Sequence, residues 1–251
     1  MMNEPILSLS HIKKKYSSHL VLDDVSIDIG IGECVGLVGK SGCGKSTLMS
    51  VATRMIPCDG GSISFRGEDI THASRSAMMA YYANMQMIFQ QPIDSFDPRR
   101  AIGDSIMEPM ICRGVPRAES KARVIELLMR VGLPEDYAER YPHEVSGGEC
   151  QRAAISRAIA MKPMLLFCDE ITSALDATVQ KEIIILMREL IHENHMASLF
   201  VTHDIALLPG IADCVAVMAK GRIVERGTTS DVIAHPKSDA AKELIDAADL
   251  W

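Results

Sequence analysis

Basic residues are in short supply. The 251-residue chain carries 26 Lys and Arg against 33 Asp and Glu, a formal net charge of −7, and its sequence pI is about 5.6. That balance leaves no counterion-release footprint and excludes nucleic acid as a main partner; the triplet Lys13-Lys14-Lys15 reads as a solvated face. Paired cysteines are missing too. The seven cysteines stand singly at 34, 43, 58, 112, 150, 168 and 214, with no CxxC spacing, so they read as small buried hydrophobes in a reducing compartment. No apolar run approaches about 18 residues, and Met-Met-Asn-Glu-Pro at the N terminus has no basic region ahead of an apolar stretch. The expectation is a chain neither exported nor membrane-spanning by itself. There is no repeat and no low-complexity linker.

What is present starts from a hydrophobic content of 47%, enough for one large core or a core with an inserted sub-domain. The run Cys34-Val35-Gly36-Leu37-Val38 leads into Gly39-Lys40-Ser41-Gly42-Cys43-Gly44-Lys45-Ser46-Thr47, followed by Leu48, Ala52 and Met55 at helical spacing. A strand enters this loop and a helix leaves it. Glycines at 39, 42 and 44 allow the backbone to fold around an anion with its N–H groups inward, and the helix N-terminus adds partial positive charge. In such a phosphate loop Lys45 reaches the β/γ-phosphates and the Ser46 hydroxyl ligates Mg²⁺. The four fixed positions arise by chance roughly once per hundred chains of this length, and the strand–loop–helix setting makes an ordinary Gly/Ser loop the weaker alternative.

Around the loop the pattern is that of an α/β protein. Leu7 and Leu9, then Val25, Ile27 and Ile29, alternate as two short antiparallel strands; Ser62 to Gly67 and Met85 to Gln90 read as further strands. Tyr16, one of only eleven aromatics, either packs structurally or stacks on a base. Met78, Met79, Met85 and Met87 cluster, as adaptable packing or as a yielding interface. From Gln91-Pro92 to about Met161 the periodicity turns helical, with Val124, Leu127, Leu128 and Val131 on one face and Gly132 as C-cap. The predicted division is an α/β core at 1–90 and 161–251 with a helical sub-domain inserted at 91–160. The core resumes in Met164 to Cys168 and Leu199 to Thr202, continuous apolar runs of the kind buried on both faces of a parallel sheet, and ends in a hairpin over Val215 to Glu225.

Two further stretches carry chemistry. Asp169-Glu170 closes a buried strand with adjacent carboxylates, an expensive arrangement without a cation; Asp169 is assigned to Mg²⁺ through water and Glu170 to the attacking water beside the γ-phosphate. Ser146-Gly147-Gly148-Glu149, with Gln151-Arg152 and an Ala/Ile-rich helix behind it, is a second candidate anion cradle, set far along the chain from the first.

The loop at 39–47, Val145 to Glu149, Leu165 to Glu170, Ser173-Ala174-Leu175-Asp176 and His203, in that order, resemble the full motif set of ABC transporter ATPase subunits. The resemblance implies a single ABC ATPase domain over 1–251, with a RecA-like P-loop core, an N-terminal antiparallel β subdomain and an inserted helical signature subdomain. It also implies ATP and Mg²⁺ as ligands, and a head-to-tail pair in which the signature of one subunit closes over the ATP of the other. By position, Tyr16 stacks on adenine, Lys45 and Thr47 hold phosphates, Ser46 and Gln90 meet Mg²⁺, Glu170 is the catalytic base, His203 contacts the γ-phosphate and Asp176 couples the two sites.

Phe89-Gln90-Gln91-Pro92 with Ser95-Phe96-Asp97-Pro98-Arg99 is similar to the Gln-loop region of importers for di- and oligopeptides, nickel and metal chelates, and His235-Pro236 to the start of that subfamily's C-terminal extension. The implied partners are membrane permease subunits, a second ATPase subunit and, indirectly, an extracytoplasmic binding protein. The implied location is the cytoplasmic face of the membrane, and the expected cargo leans slightly to metal or its chelate. With the chain ending at Trp251, no iron–sulfur site is expected. Three residues depart from the family pattern: Glu149 for Gln, Val145 for Leu and Ile171 for Pro. Competing readings are a soluble ABC-type switch or assembly factor, which normally carries two cassettes, coiled-coil inserts or basic surfaces, and an exporter or lipoprotein-releasing subunit.

Overall fold

A computed structural model describes residues 4–248; the readings placed on Met1 to Asn3 and on Trp251 lie outside the described residues. The first two strands, β1 (Leu7–Tyr16) and β2 (His19–Ile29), pair antiparallel and are longer than their alternation suggests. Bulges explain the difference: His11 and Asp24 take positive φ and the register slips between Leu9 and Lys15, so the pattern breaks while the pairing continues. β3 (Cys34–Val38) comes next, then α1 (Lys45–Ala52), β4 (Gly60–Phe65), β5 (Glu68–Asp69), α2 (Arg75–Asn84) and β6 (Met85–Ile88).

Between β6 and the next strand the described chain is helical. It holds α3 (Ile102–Cys112), α4 (Arg117–Arg130), α5 (Gly147–Ile159) and short 3₁₀ turns at Pro92–Ser95, Glu135–Ala138 and Pro142–Glu144. Val131 caps α4, and Gly132 lies one residue further on at φ 77. Leu133 N–H bonds Leu128 O at 2.8 Å and Gly132 N–H bonds Met129 O at 3.0 Å, so the glycine closes the helix from just beyond its cap. The remaining elements are β7 (Leu165–Asp169), α6 (Ala177–Glu193), β8 (Ala197–Thr202), a 3₁₀ turn at Ile205–Gly210, β9 (Cys214–Ala219), β10 (Arg222–Thr228), α7 (Thr229–Ala234) and α8 (Asp239–Ala247).

Two sheets result. One is antiparallel, in the order β2-β1-β4-β5; the other runs β10-β9-β3-β8-β7-β6, parallel except for β10. Every residue of β3 and of β8 is buried, which is why these strands read as unbroken apolar runs. Alternate residues of β3, β7 and β8 feed two cores. Val35, Leu37, Phe167, Leu199 and Val201 face the antiparallel sheet and α1, whereas Val38, Leu166, Cys168 and Phe200 join Ile106, Leu128 and Ile155 of the helical stretch.

Three surface expectations change. Lys14 is only 8% exposed and its ammonium lies 3.2 Å from Asp59 Oδ1, so the lysine triplet is a solvated face only at Lys13 and Lys15. All seven cysteines are free, but Cys112 is exposed and Cys43, Cys58 and Cys214 are half-buried. Among the clustered methionines, Met85 packs in the core while Met79 is 65% exposed.

A phosphate loop and its carboxylate at the edge of the parallel sheet

The order of the parallel strands sets the site. The carboxyl ends of β3, β8, β7 and β6 lie side by side and lead into the 39–47 loop, His203, Glu170 and Gln90 respectively. This is the edge where ligands of open α/β sheets bind.

The loop is held from behind. A Cβ on Gly39 would stand 2.2 Å from Met218 O and 2.8 Å from Cys43 Sγ, so only glycine fits against the end of β9. Gly44 caps α1 at φ 114, a conformation other residues rarely adopt. Gly221 N–H bonds Cys43 O at 3.0 Å and Asp23 N–H bonds Gly221 O at 2.8 Å, tying the β9–β10 turn and β2 to the loop. Lys45 is 5% exposed, and its ammonium donates to Gly39 O at 2.7 Å and Lys40 O at 3.4 Å. A buried cation satisfied by its own loop's carbonyls is held ready at the mouth of the loop. The Lys40 side chain instead turns away, pairing with Glu243 of α8 at 2.7 Å. Ser41, Gly42 and Cys43 line the same roughly 700 Å³ cleft as Lys40, on the α8 side of the loop.

Glu170 is the point of convergence. It sits one residue past β7 at φ 46, a strained position for a non-glycine residue, and its N–H still bonds Val201 O at 3.0 Å. Its carboxylate lies 3.9 Å from the Lys45 ammonium, accepts from Gln90 Nε2 at 3.3 Å and meets His203 Nδ1 at 3.2 Å. The His203 turn is fixed on both sides. Asp204 N–H bonds Thr202 Oγ1 at 3.0 Å, and Asp204 Oδ1 accepts from Ala206 N–H at 2.9 Å. Next door, burial, reinforced by the Glu170 charge, pushes the Asp169 carboxyl above its ordinary value, with Lys45 opposing. Such a carboxylate calls for a nearby cation, and a Ser46 hydroxyl, a Gln90 amide oxygen and an Asp169 carboxylate are the hard oxygen donors Mg²⁺ takes. The residues therefore fit that ion.

Sequence reasoning gave no role to Ser173. Its hydroxyl donates to Glu170 O at 2.9 Å and accepts from Gln90 Nε2 at 3.2 Å, bridging the two. Its signals were its place three residues after Glu170 and at the head of the Ser173-Ala174-Leu175-Asp176 motif.

Other expected site residues lie apart from this cluster. Tyr16 is half-exposed at the end of β1, with the Lys14 ammonium 5.8 Å from its ring centroid; its ring is not packed away. Asp176 caps α6, accepting from Thr178 and Val179 N–H at 3.1 Å each. Ser146 caps α5, with Oγ accepting from Glu149 N–H at 3.4 Å. The side-chain bonds of Ser146 and Glu149 stay within this turn or reach Tyr137; none joins the phosphate loop of the same chain. Ile171, in place of proline, is 1% exposed and packs in the core.

A glycine loop between a parallel strand and a helix, facing a strained carboxylate two strands away, defines a P-loop nucleotide-binding cassette. A family model of the ABC transporter matches residues 22–173. The chain belongs to the ABC transporter family, as one of its ATPase cassettes. It is 38% identical to the oligopeptide transport ATP-binding protein OppF of Bacillus subtilis, over 99% of this chain and 84% of that protein. It is 41% identical to the glutathione import ATP-binding protein GsiA of Pectobacterium atrosepticum, over 97% of this chain. The chain spans 41% of the length of that relative. Among solved structures, the dimeric ATP-binding cassette MJ0796 bound to ADP and Pi superposes with a TM-score of 0.79 at 25% identity, covering 89% of this chain and 98% of that one.

Proposed function

We propose that this cassette hydrolyses ATP as the motor of a peptide importer, each ATP being held between the phosphate loop of one cassette and the signature turn of a second. The observation that carries this is the convergence of Lys45, Gln90 and His203 on Glu170. The Glu170 carboxylate orients a water and accepts its proton as the water attacks the γ-phosphorus and the bond to the β–γ bridging oxygen breaks. Lys45 and Thr47 hold the phosphate oxygens. His203, its Nδ1 3.2 Å from the Glu170 carboxylate, contacts the γ-phosphate. Ser46, Gln90 and, through water, Asp169 would hold Mg²⁺, which would neutralise charge on the β- and γ-phosphates. Tyr16, exposed at its strand end, takes the adenine face.

Residues 91–160 act as one helical unit carrying the signature, and the second cassette, a copy of this chain or a related one, supplies Ser146, Gly147 and Gly148 in trans. The dimeric MJ0796 cassette supports such a pair. No described helix is long and apolar enough to cross a membrane. The import and transport relatives support a cassette that meets the membrane through permease subunits at the cytoplasmic face, with a binding protein outside delivering cargo. The names of the two relatives, glutathione import and oligopeptide transport, support a peptide over nickel or a metal chelate. Mass spectrometry of the ligand held by the cognate binding protein decides between them.

The central test is Glu170→Gln. Turnover falls roughly 10²–10⁴-fold while ATP still binds and an ATP-loaded dimer accumulates; near-normal turnover removes Glu170 from this role.

A further inference from the structure

Glu149 places a carboxylate in the first turn of α5, beside Ser146, Gly147 and Gly148. In the proposed pair this turn meets the neighbour's triphosphate, so a negative side chain here opposes the ligand that the helix N-terminus attracts. Glutamine at this position brings no such conflict.

Both oxygens of that carboxylate are committed. Oε2 accepts from Ser146 N–H at 2.7 Å, and Oε1 accepts from the Tyr137 hydroxyl. Tyr137 comes from the Glu135–Ala138 turn, is 8% exposed, and has the Arg140 guanidinium 3.9 Å from its ring centroid. Arg140 is itself held by Asp136 Oδ2 at 2.6 Å. The Tyr137 hydroxyl, with the Ser146 N–H, keeps the Glu149 carboxyl below its ordinary value, so it stays an anion at neutral pH. The outer side of the turn is free of it. Ser146 and Gly147 are exposed while Glu149 is half-buried, and a Cβ on Gly147 would meet nothing within 4 Å.

We propose that Tyr137 is a positioning residue for ATP closure: its hydroxyl pins the Glu149 carboxylate inside the capping box, so that the turn presents only Ser146 and backbone N–H groups to the incoming phosphates. This rests on the two-cassette reading and names the device that makes Glu149 compatible with it. Tyr137 acts through Glu149, so its effect must vanish when residue 149 carries no charge.

The test compares MgATP hydrolysis by the native chain, Tyr137→Phe, Glu149→Gln and the double variant, with thermal melting as a fold check. Phe keeps the ring and its Arg140 contact, so only the hydroxyl is lost. In the native background Tyr137→Phe raises the half-saturating ATP concentration roughly tenfold, with little change in turnover at saturation. In the Glu149→Gln background the same substitution shifts it by less than about twofold. Glu149→Asp, too short to hold both donors, gives a second variant and reproduces the raised half-saturation. Equal losses in both backgrounds, or no loss in the native one, overturn the proposal while native turnover remains intact. A native chain that turns over no ATP, alone or with the related cassette it pairs with, removes the two-cassette reading and this proposal together.

Discussion

Gly39 shows how tightly the phosphate loop is seated. A methyl group there would press on the Met218 carbonyl at 2.2 Å, and a backbone atom cannot swing aside as a side-chain end can. Gly39→Ala therefore costs about 1–3 kcal/mol, lowering the melting temperature by about 3–10 °C, and weakens nucleotide binding because the loop must shift to make room. Calorimetric melting beside an ATP titration checks both; an unchanged melting temperature would show that the loop yields freely. At this scale Glu170 was legible from its place after a buried apolar run and Lys45 from its glycine loop, whereas Gln90 and His203 were assigned through the family resemblance. The Ser173 bridge and the Tyr137–Glu149 bond were not legible. Gln90 and Ser173 stand 83 positions apart, and no local periodicity encodes a hydroxyl meeting an amide across that separation. Lys14 was misjudged for the same reason, since its partner Asp59 comes from a turn 45 residues on.

Elements were legible where one rule governed them and obscure where two competed. The buried parallel strands announced themselves by unbroken apolar runs, and α4 by its periodicity and trailing glycine. β1 and β2 were underestimated because bulges at His11 and Asp24 break the alternation that pairing preserves. Element α8 depends on Glu225 of β10. The carboxylate accepts from Lys237 N–H at 2.9 Å, Ser238 N–H at 2.7 Å and the Ser238 hydroxyl at 2.7 Å; Ser238 Oγ in turn caps α8, whose Ala241 and Ile245 are buried. Burial alone would raise the Glu225 carboxyl, but these bonds outweigh it and hold it below its ordinary 4.5. A carboxyl lowered on folding gives stability that is present above its unfolded value and lost as pH falls through the folded one. Glu225→Gln thus lowers the melting temperature at pH 7 by about 3 °C, and the gap from the native protein closes as the solution is acidified below 4.5. A gap constant with pH would mean that the charge contributes nothing.

At the scale of the whole molecule the two anion cradles explain each other only if a second cassette is present. The core with its inserted helical stretch was legible as a change of period, whereas how the helices share a core with the sheet was not, because packing of α3, α4 and α5 onto Val38, Leu166 and Phe200 is written in three dimensions. Complementation tests the pairing: Lys45→Ala and Ser146→Ala chains, each deficient alone, regain when mixed one intact composite site and a measurable share of native turnover. In a chain that pairs with itself, activity no higher than either single variant would put both cradles out of reach of a common nucleotide.

The Val179 side chain of α6 stands so close to the backbone of Gly148 that a Cβ there would lie 3.0 Å from it, and α6 begins at the Asp176 cap that follows Glu170 and Ser173. The helix that follows Glu170 therefore packs against the glycine turn at Gly148 with no room for a larger residue there. In the proposed pair, a shift of the residues after Glu170 would reach the Ser146–Gly148 turn through Val179, and the two half-sites would loosen together.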